Sequence, residues 1–178
     1  MINSQNTMLL IIDIQEKLVK MLGETNVAKN ASVLAKTFDT LNMPTIITEQ
    51  YPKGLGNTVN ELKDIANTAI FMEKEHFSAY KKDDIKKEIK KTKKKNIIIC
   101  GIEAHICVLQ TALDLKNAGY NVYFVTDASA SRKIEDYNVG VEYMKQNNIY
   151  TITTEIALFM LLESSKHPNF KELQGLIK

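Results

Sequence analysis

Cysteine is scarce in this sequence: among 178 residues only Cys100 and Cys107 occur. Two cysteines provide neither a disulfide framework nor the repeated pairs of a zinc site, so we expect a reduced, cytoplasmic protein. The chain also has no apolar run near the roughly 20 residues that cross a bilayer. Its first residues lack the basic region and apolar stretch of a signal peptide, and we expect no membrane partner.

Linkers rich in proline or glycine, internal repeats and low-complexity stretches are also missing, so nothing marks a domain boundary. The hydrophobic share of 44% and the charged share of 25% are those of an ordinary globular protein. A chain of this length can bury most of its apolar surface in one core. These features predict a single domain over residues 1–178.

Charge is lopsided in one segment, residues 81–95, where nine lysines and three acidic residues give a local charge of +6. Such a run could bind nucleic acid, and this stays an alternative. Ile85 and Ile89, however, are four residues apart and give the segment one narrow apolar stripe. The segment also lacks arginine and interleaved aromatic residues. We therefore expect a solvated helix face and no nucleic-acid partner.

Short apolar runs alternate with helical patterns along the chain. Six runs predict strands buried on both faces of a sheet: 8–14, 45–48, 69–72, 97–100, 122–125 and 149–153. Helices are predicted over 27–41, from a capping box at 58–61, and over 104–118, 135–146, 155–163 and from 169 on. Right-handed crossovers then give an α/β three-layer sandwich with a six-stranded, mostly parallel, Rossmann-like sheet.

Ligands bind at the carboxyl ends of the strands in this architecture. A nucleotide would need a glycine-rich turn after the first strand, but residues 13–17 (DIQEK) contain no glycine and two acidic residues. Nucleotide cofactors are therefore not expected. The strand ends that could carry other chemistry are at Asp13, Glu49, Lys74, the segment 101–107 and Asp127.

Cys107 follows the fourth predicted strand and falls in the first turns of a helix, where unpaired amides favour a thiolate. An adjacent lysine would lower the thiol pKa further below its free value of about 8.5. The same amides could hold an oxyanion during acyl transfer. A lone cysteine among apolar residues is more often an inert core residue, and that reading describes Cys100 well.

Asp13 ends an apolar strand, so its carboxylate is either a helix cap or a catalytic group. Considered by itself, Lys74 would be interpreted as one more surface lysine. A catalytic role is favoured only because the strand ends at Asp13, Lys74 and the segment 101–107 are expected to converge on one crevice. A Cys–His pair is a rival arrangement. His105, two residues before Cys107, would lie roughly 200° away on a regular helix and could not act as its base. His76 could line the site.

Several segments of the sequence resemble the isochorismatase-like cysteine hydrolases, over nearly the whole chain. They surround Asp13 (LLIIDIQ), Lys74 (EKEHFS), Cys107 (GIEAHICVLQTA) and Asp127 (VTDASASR), in the order and spacing of that family. Two further segments, TEQYPKGLGNT and HPNFKELQ, are similar to its isochorismatase domain-containing subgroup.

The resemblance implies an Asp–Lys–Cys triad, in which Asp13 takes the thiol proton while Lys74 stabilises the thiolate and orients the carboxylate. Cys107 would attack a small amide or related carbonyl, and water would hydrolyse the resulting thioester. The resemblance also implies a cis peptide between Ile102 and Glu103. That bond would turn the Glu103 amide to join the Cys107 amide in an oxyanion hole.

Nicotinamidases of this superfamily hold a metal through an aspartate and histidines after the second strand. Residues 48–54 here (TEQYPKG) contain no histidine, so neither a metal nor nicotinamide as substrate is expected. Isochorismatases proper cleave a vinyl ether without a cysteine nucleophile, and Cys107 argues against that reaction too.

We therefore expect a hydrolase without cofactors, acting on a non-peptide C–N bond of a small-molecule substrate through Cys107. Its pocket is predicted to include Gln15, Glu49, Tyr51, His76 and Phe77. The alternative is a non-catalytic oligomeric scaffold that retains the fold, although an intact triad argues against it. The family resemblance implies a homo-oligomer, since family members commonly form them. Contacts between subunits would explain the apolar residues near the end of the chain, and core packing explains them equally well: Ala157, Phe159, Met160 and Leu162.

Overall fold

The computed structural model describes residues 2–178. Within that range six strands form one sheet, in the order β3-β2-β1-β4-β5-β6, and every neighbouring pair is parallel. The strands are β1 (Thr7–Ile12), β2 (Thr45–Gln50), β3 (Ile70–Lys74), β4 (Asn96–Ile102), β5 (Asn121–Ala130) and β6 (Tyr150–Ile152). The α/β sandwich predicted from the sequence is confirmed.

Helices cover both faces of the sheet. They are α1 (Glu16–Leu22), α2 (Val27–Thr40), α3 (Pro52–Leu55), α4 (Asn60–Lys63), α5 (Asp83–Lys91), α6 (Leu109–Asn117), α7 (Ile134–Gln146), α8 (Thr154–Leu162) and α9 (Phe170–Gln174). In β1, Leu9 and Ile11 pack with α2 and α8 on one face, while Leu10 and Ile12 pack with α5, α6 and α7 on the other. Because both faces are covered, the strand is apolar at every position from Met8 to Ile12 rather than at alternate ones.

The lysine-rich segment folds as α5, with Ile85 and Ile89 fully buried against the sheet and the lysines outside. The surface helix predicted there is confirmed. The capping box predicted at 58–61 is wrong, because Thr58 donates from its amide and its hydroxyl to Glu49 Oε1, at 2.6 and 2.8 Å. The Thr58 amide, which a capping box would pair with Glu61, is thus bound to Glu49, and α4 begins at Asn60 with Val59 as its N-cap and no side-chain cap.

The centre of the sheet places the carboxyl ends of β1 and β4 side by side. The chain runs outward from β1 through β2 to β3, and in the opposite direction from β4 through β5 to β6, which opens a crevice between the two strand ends. Gly101 in β4 has φ +134°, and a Cβ there would lie 1.9 Å from the Ile12 carbonyl oxygen. Only glycine therefore allows these strands to approach so closely where the crevice begins.

The apolar side of α8 is largely part of the core. Ala157 and Leu162 are buried, Met160 packs against the sheet, and the Phe159 ring lies 6.3 Å from that of Phe170. Of the two accounts of this helix, core packing therefore describes most of its apolar residues. Among residues 2–178, no helix combines the length and apolar character needed to cross a bilayer.

Candidate active site

Asp13 directly follows β1, in a left-handed backbone conformation with φ 52°, and its side chain is completely buried. Its Oδ1 accepts a hydrogen bond of 2.7 Å from the Thr48 hydroxyl, and its Oδ2 accepts one of 2.6 Å from Lys74 Nζ. The carboxylate thus faces the ends of the neighbouring strands and does not cap α1. A buried charge needs such partners, since an unpaired carboxylate would cost several kcal/mol.

Lys74 is the last residue of β3 and is also completely buried, unlike the surface lysine that its sequence context alone would suggest. From this edge strand its side chain extends past β2 to Asp13. Its ammonium makes two further hydrogen bonds, 2.7 Å to Gln50 Oε1 and 3.2 Å to the His76 carbonyl oxygen. An ammonium has three donors, so all three are used.

Cys107 lies in a π-helical turn, Ala104–Val108, which joins the end of β4 to α6. The wide turn is closed by a 3.3 Å hydrogen bond from the Val108 amide to the Glu103 carbonyl oxygen. The Thr111 hydroxyl donates to the Cys107 carbonyl oxygen at 2.6 Å and fixes the turn from the α6 side. The thiol is buried beside Asp13 and Lys74, which both act on its proton.

Burial, and after it the Asp13 carboxylate, raise the pKa of the Cys107 thiol to about 12, although Lys74 acts in the opposite direction. Lys74 lowers this pKa as expected, but the expectation of a net lowering is wrong, because desolvation of the thiolate outweighs the lysine. Burial also raises the pKa of the Asp13 carboxyl, against Lys74 and Thr48. The resting thiol is thus neutral and adjacent to a carboxylate that can take its proton.

The turn before Cys107 is held by Glu103. The peptide bond between Ile102 and Glu103 is cis. The buried Glu103 carboxylate accepts a 3.1 Å hydrogen bond from the Arg132 amide and lies 3.6 Å from Arg132 Nε. These contacts tie the approach to Cys107 to the segment that follows β5.

His105 turns away from the thiol although the turn is irregular. Its Nδ1 lies 2.8 Å from the Ser131 hydroxyl and its Nε2 3.9 Å from Asp136 Oδ2 on α7. The His105 Cβ packs against Gly140, and a Cβ added at Gly140 would lie only 3.0 Å from it. The imidazole is therefore engaged on the α7 side, and the Cys–His pair considered as a rival is not formed.

A cavity of about 130 Å³ leads to the thiol. It is lined by Asp13, Leu18, Gln50, Leu55, Phe77, Ile102, Glu103, Ile106 and Cys107. Sites for drug-sized ligands commonly have about 300–1,000 Å³, so this cavity fits only a small group. Its wall is mainly apolar, and polar groups are concentrated around the sulfur.

Phe77 is the residue of the predicted pocket set that lines this cavity. Gln15 lies outside it. Its side chain is fully buried and connects two loops, because its Nε2 donates a hydrogen bond of 2.6 Å to the Gly56 carbonyl oxygen. Glu49 also lies outside it, since its carboxylate is occupied by the two hydrogen bonds from Thr58.

Tyr51 and His76 are likewise outside the cavity lining. Tyr51 is 58% exposed and its ring covers Gly54, where a Cβ would lie 2.4 Å from the ring. His76 exposes its side chain and contributes only its carbonyl oxygen, to Lys74. Asp127 has another role as well, because its Oδ1 accepts from the Thr154 amide and hydroxyl at 2.8 and 2.9 Å and caps α8.

Sequence reasoning missed Gln50 and Thr48, which bind Lys74 and Asp13. The strand-end argument applies to both residues. The second strand was predicted to end at Thr48, however, whereas β2 continues to Gln50. Leu18 was missed because no helix was predicted over α1, although Leu18, Val19 and Leu22 have helical spacing and pack against the core.

The isochorismatase domain profile matches residues 7–156. The chain belongs to the isochorismatase family. Isochorismatase domain-containing protein 2 of Danio rerio is 37% identical over 99% of this chain and 89% of its own length. Isochorismatase family protein 1A of Dictyostelium discoideum is 39% identical, over 96% and 85% of the two chains. The family predicted from the sequence is confirmed.

Solved structures of isochorismatase-family fold superimpose closely. A protein from Caenorhabditis elegans, described as MAR1 ribonuclease, has a TM-score of 0.92 and 39% identity, over 99% of this chain and 91% of that one. The YcaC gene product of Escherichia coli, described as an octameric hydrolase of unknown specificity, has a TM-score of 0.87. It is 24% identical over 98% and 94% of the chains, so it supports the fold alone.

Proposed function

We propose that the protein is a cysteine hydrolase that cleaves a non-peptide, amide-type C–N bond of a small molecule through a thioester on Cys107. The observation that carries this proposal is that one small cavity is lined by a thiol and by a buried carboxylate, which is paired with the buried ammonium of Lys74. Burying an ion pair is costly, and well-packed apolar residues would stabilise a purely structural site at least as well. A proton-transfer role for Asp13 explains why the pair is retained.

The proposed reaction begins when Asp13 accepts the thiol proton as the sulfur attacks the substrate carbonyl carbon. The oxyanion forms near the start of the turn that contains Cys107, where the amides of Glu103 and Cys107 are the proposed donors. Protonated Asp13 then gives its proton to the leaving nitrogen as the C–N bond breaks. A water molecule, deprotonated by Asp13, hydrolyses the thioester and releases the acid and the free thiol.

The size of the cavity limits the acyl group. At about 30 Å³ for each water molecule in the liquid, 130 Å³ corresponds to roughly four waters. The apolar wall of Leu18, Leu55, Phe77 and Ile106 suits a short hydrocarbon substituent. Small amides, ureas and carbamates are therefore the compounds to test.

The test is turnover of such compounds, together with intact-mass detection of an acyl adduct on the protein. We expect an adduct that maps to Cys107 and a Cys107→Ala variant that neither turns over nor acquires the adduct. Cys100→Ala is the matched control, because that thiol is also buried but lies within β4. Undiminished turnover by Cys107→Ala would overturn the proposal.

Ribonuclease activity is a second candidate, favoured by the similarity to the Caenorhabditis elegans protein described as a ribonuclease. Single-stranded RNA incubated with wild type and Cys107→Ala decides between the two. Cleavage that depends on Cys107, without turnover of any small amide, would favour the ribonuclease. If neither RNA nor small molecules are cleaved, the alternative of a non-catalytic scaffold is favoured.

Alkylation should distinguish the two cysteines. Burial raises the pKa of both thiols, but Cys107 opens on the cavity whereas Cys100 is completely enclosed in β4. Limited iodoacetamide at neutral pH, followed by peptide mapping, is expected to label Cys107 well ahead of Cys100. Equal or reversed labelling would contradict the assignment of the nucleophile.

Chelation is expected to leave turnover unchanged. Residues 48–54 contain no histidine, and the side-chain oxygen of Gln50, the last residue of β2, already accepts a hydrogen bond from Lys74. The ammonium would repel a cation at that oxygen. The measurement is activity before and after dialysis against a chelator, with metal analysis of the protein. A stoichiometric ion whose removal abolishes turnover would refute this expectation.

Self-association is also part of the proposal. The exposed apolar residues Ile134, Val139 and Tyr143 on α7, which are 50–69% exposed, offer a better contact face than α8. Light scattering should give a multiple of the chain mass for wild type and a smaller mass for Val139→Glu. A monomeric wild type would refute it.

A further inference from the structure

Three consecutive lysines, residues 93–95, lie at the amino end of the sheet, opposite the crevice that contains Cys107. They directly precede β4, a central strand. The Lys95 amide donates to the Asn6 carbonyl oxygen at 3.0 Å, and the Lys95 carbonyl oxygen accepts from the Asn121 amide at 3.0 Å. Backbone hydrogen bonds therefore join the lysine loop to the segments that begin β1 and β5.

The loops beside these lysines carry no acidic residue. Residues 2–6 (INSQN) and 117–120 (NAGY) precede β1 and β5, the two neighbours of β4, and residues 41–44 (LNMP) precede β2. Each of these loops contains asparagine, and none contains aspartate or glutamate. Lysine, asparagine and backbone amides are among the groups that proteins use to bind phosphate oxygens.

The lysines in and after α5 divide into two groups. Lys87 and Lys91 lie 3.9 and 3.2 Å from carboxylates of their own helix. Within residues 2–178, however, no carboxylate lies within 4 Å of the ammonium groups of Lys90 and of residues 93–95, which we call the basic surface. All of its lysines except Lys94 are exposed. The dipole of α5 favours Lys90 at its end, but the loop lysines repel one another without compensation.

We propose that the basic surface binds the phosphate backbone of a nucleic-acid strand. It contains no arginine, the usual reader of base edges, so the contacts are to phosphates and do not depend on base sequence. Residues 81–95 alone favoured a solvated helix face. The acid-free loops that the fold brings beside the lysines are the additional observation. The inference goes beyond the proposed function, because this surface lies at the other end of the sheet from Cys107.

An anionic membrane also presents phosphates, but the surface does not suit it. Stable binding to a membrane usually needs apolar side chains or a lipid chain in addition to basic residues. Ile85 and Ile89 of α5 are fully buried. Among residues 2–178, none of the large apolar side chains that are exposed falls in the loops beside the lysines. A nucleic-acid strand, which needs only the charges and hydrogen-bond donors, is therefore favoured.

The experiment measures the Kd for a fluorescein-labelled oligouridine by anisotropy over a series of salt concentrations. Four lysines can neutralise up to four phosphates. The logarithm of the binding constant should then fall with the logarithm of the salt concentration with a slope of about −2 to −3. The triple variant Lys90→Gln, Lys93→Gln, Lys95→Gln should bind at least about tenfold more weakly at low salt, with a slope smaller by about 2. Glutamine forms helices about as well as lysine, so these exposed changes should not unfold α5.

The matched control is the triple variant Lys63→Gln, Lys166→Gln, Lys171→Gln. It removes the same charge from exposed lysines on other parts of the chain, and it should bind oligouridine nearly as wild type does. Cys107→Ala should also bind like wild type, which separates this surface from the candidate ribonuclease activity.

Loss of binding in the first triple variant alone supports the inference. Equal weakening of both triple variants would show that only net charge matters and would overturn it, as would the absence of oligouridine binding by wild type at low salt. Sedimentation with phosphatidylserine vesicles, without oligouridine binding, would identify a membrane instead. Turnover of small amides by the first triple variant should equal that of wild type, so failure of this inference leaves the proposed function unaffected.

Discussion

Replacing Asp13 with asparagine is expected to lower turnover by about 10²–10⁴, the usual contribution of a general base. The same change should accelerate simple alkylation of Cys107, because the Asp13 carboxylate is one of the groups that raise the thiol pKa. Asparagine retains the shape, and its one carbonyl oxygen can accept from Lys74 while its NH₂ group faces the Thr48 hydroxyl, which can accept. The measurement is turnover and the alkylation rate, both as a function of pH.

Lys74→Met should lower both quantities. Loss of the ammonium removes the group that lowers the thiol pKa, so alkylation near neutral pH should slow. It also leaves Asp13 buried without its cation, which favours the protonated acid and removes the base. Turnover in wild type should rise with pH through the raised pKa of Asp13, because the base must be ionised.

The surface pair Asp84 and Lys87 on α5, 3.9 Å apart, supplies the matched controls Asp84→Asn and Lys87→Met. These should change neither turnover nor alkylation, and their effect on stability should be about 0–1 kcal/mol. Breaking the buried pair should cost about 3–5 kcal/mol, so urea unfolding must show that the variants are folded. If Asp13→Asn and Lys74→Met both behave like wild type, Cys107 works without them.

Gly101→Ala is expected to destabilise the protein by about 4 kcal/mol or more, among the largest effects of a single substitution. The added Cβ would lie 1.9 Å from a backbone oxygen that cannot move aside, at a φ of +134° that L residues rarely adopt. The midpoint of urea unfolding measures the effect.

Gly175→Ala is the control, since a Cβ there meets no atom within 4 Å. It should leave the midpoint unchanged or raise it slightly, because alanine loses less conformational freedom on folding than glycine. Equal midpoints for the two variants would mean that β1 and β4 can separate without cost.

Strands could be predicted from sequence where burial on both faces makes the chain continuously apolar, as in β1 and β4. The carboxyl ends of β2 and β3 were predicted two residues too early, at 48 and 72, because Glu49, Gln50 and Glu73 belong to these strands but break the apolar run. The rule that strand ends converge made Asp13, Lys74 and the segment that contains Cys107 candidates, and the family resemblance implied that they form one triad. The same rule selected Asp127, which faces α8, since it gives position along the sheet but not side-chain direction.

Burial was the quantity that sequence reasoning could not supply at the site. The neighbours of the thiol were anticipated, but the sign of its pKa shift depends on desolvation, which follows from tertiary packing. The π-helical turn is another example, because nothing in GIEAHICV distinguishes a wide turn from a regular one. The direction of His105 depends on that turn and on Gly140, more than thirty residues later in the chain.

The position of Lys74 on an edge strand links the proposed catalytic site to one margin of the sheet. β3 pairs with β2 alone, and its residues Ile70 and Phe71 are exposed by 44% and 37%. Proteins open locally at such elements with less free energy than global unfolding requires. Fraying of β3 would withdraw the ammonium from Asp13 while the other five strands stayed paired. Mild denaturant would then abolish activity at a lower concentration than it unfolds the sheet. Amide hydrogen exchange in β3 would increase over the same range of denaturant as the loss of activity.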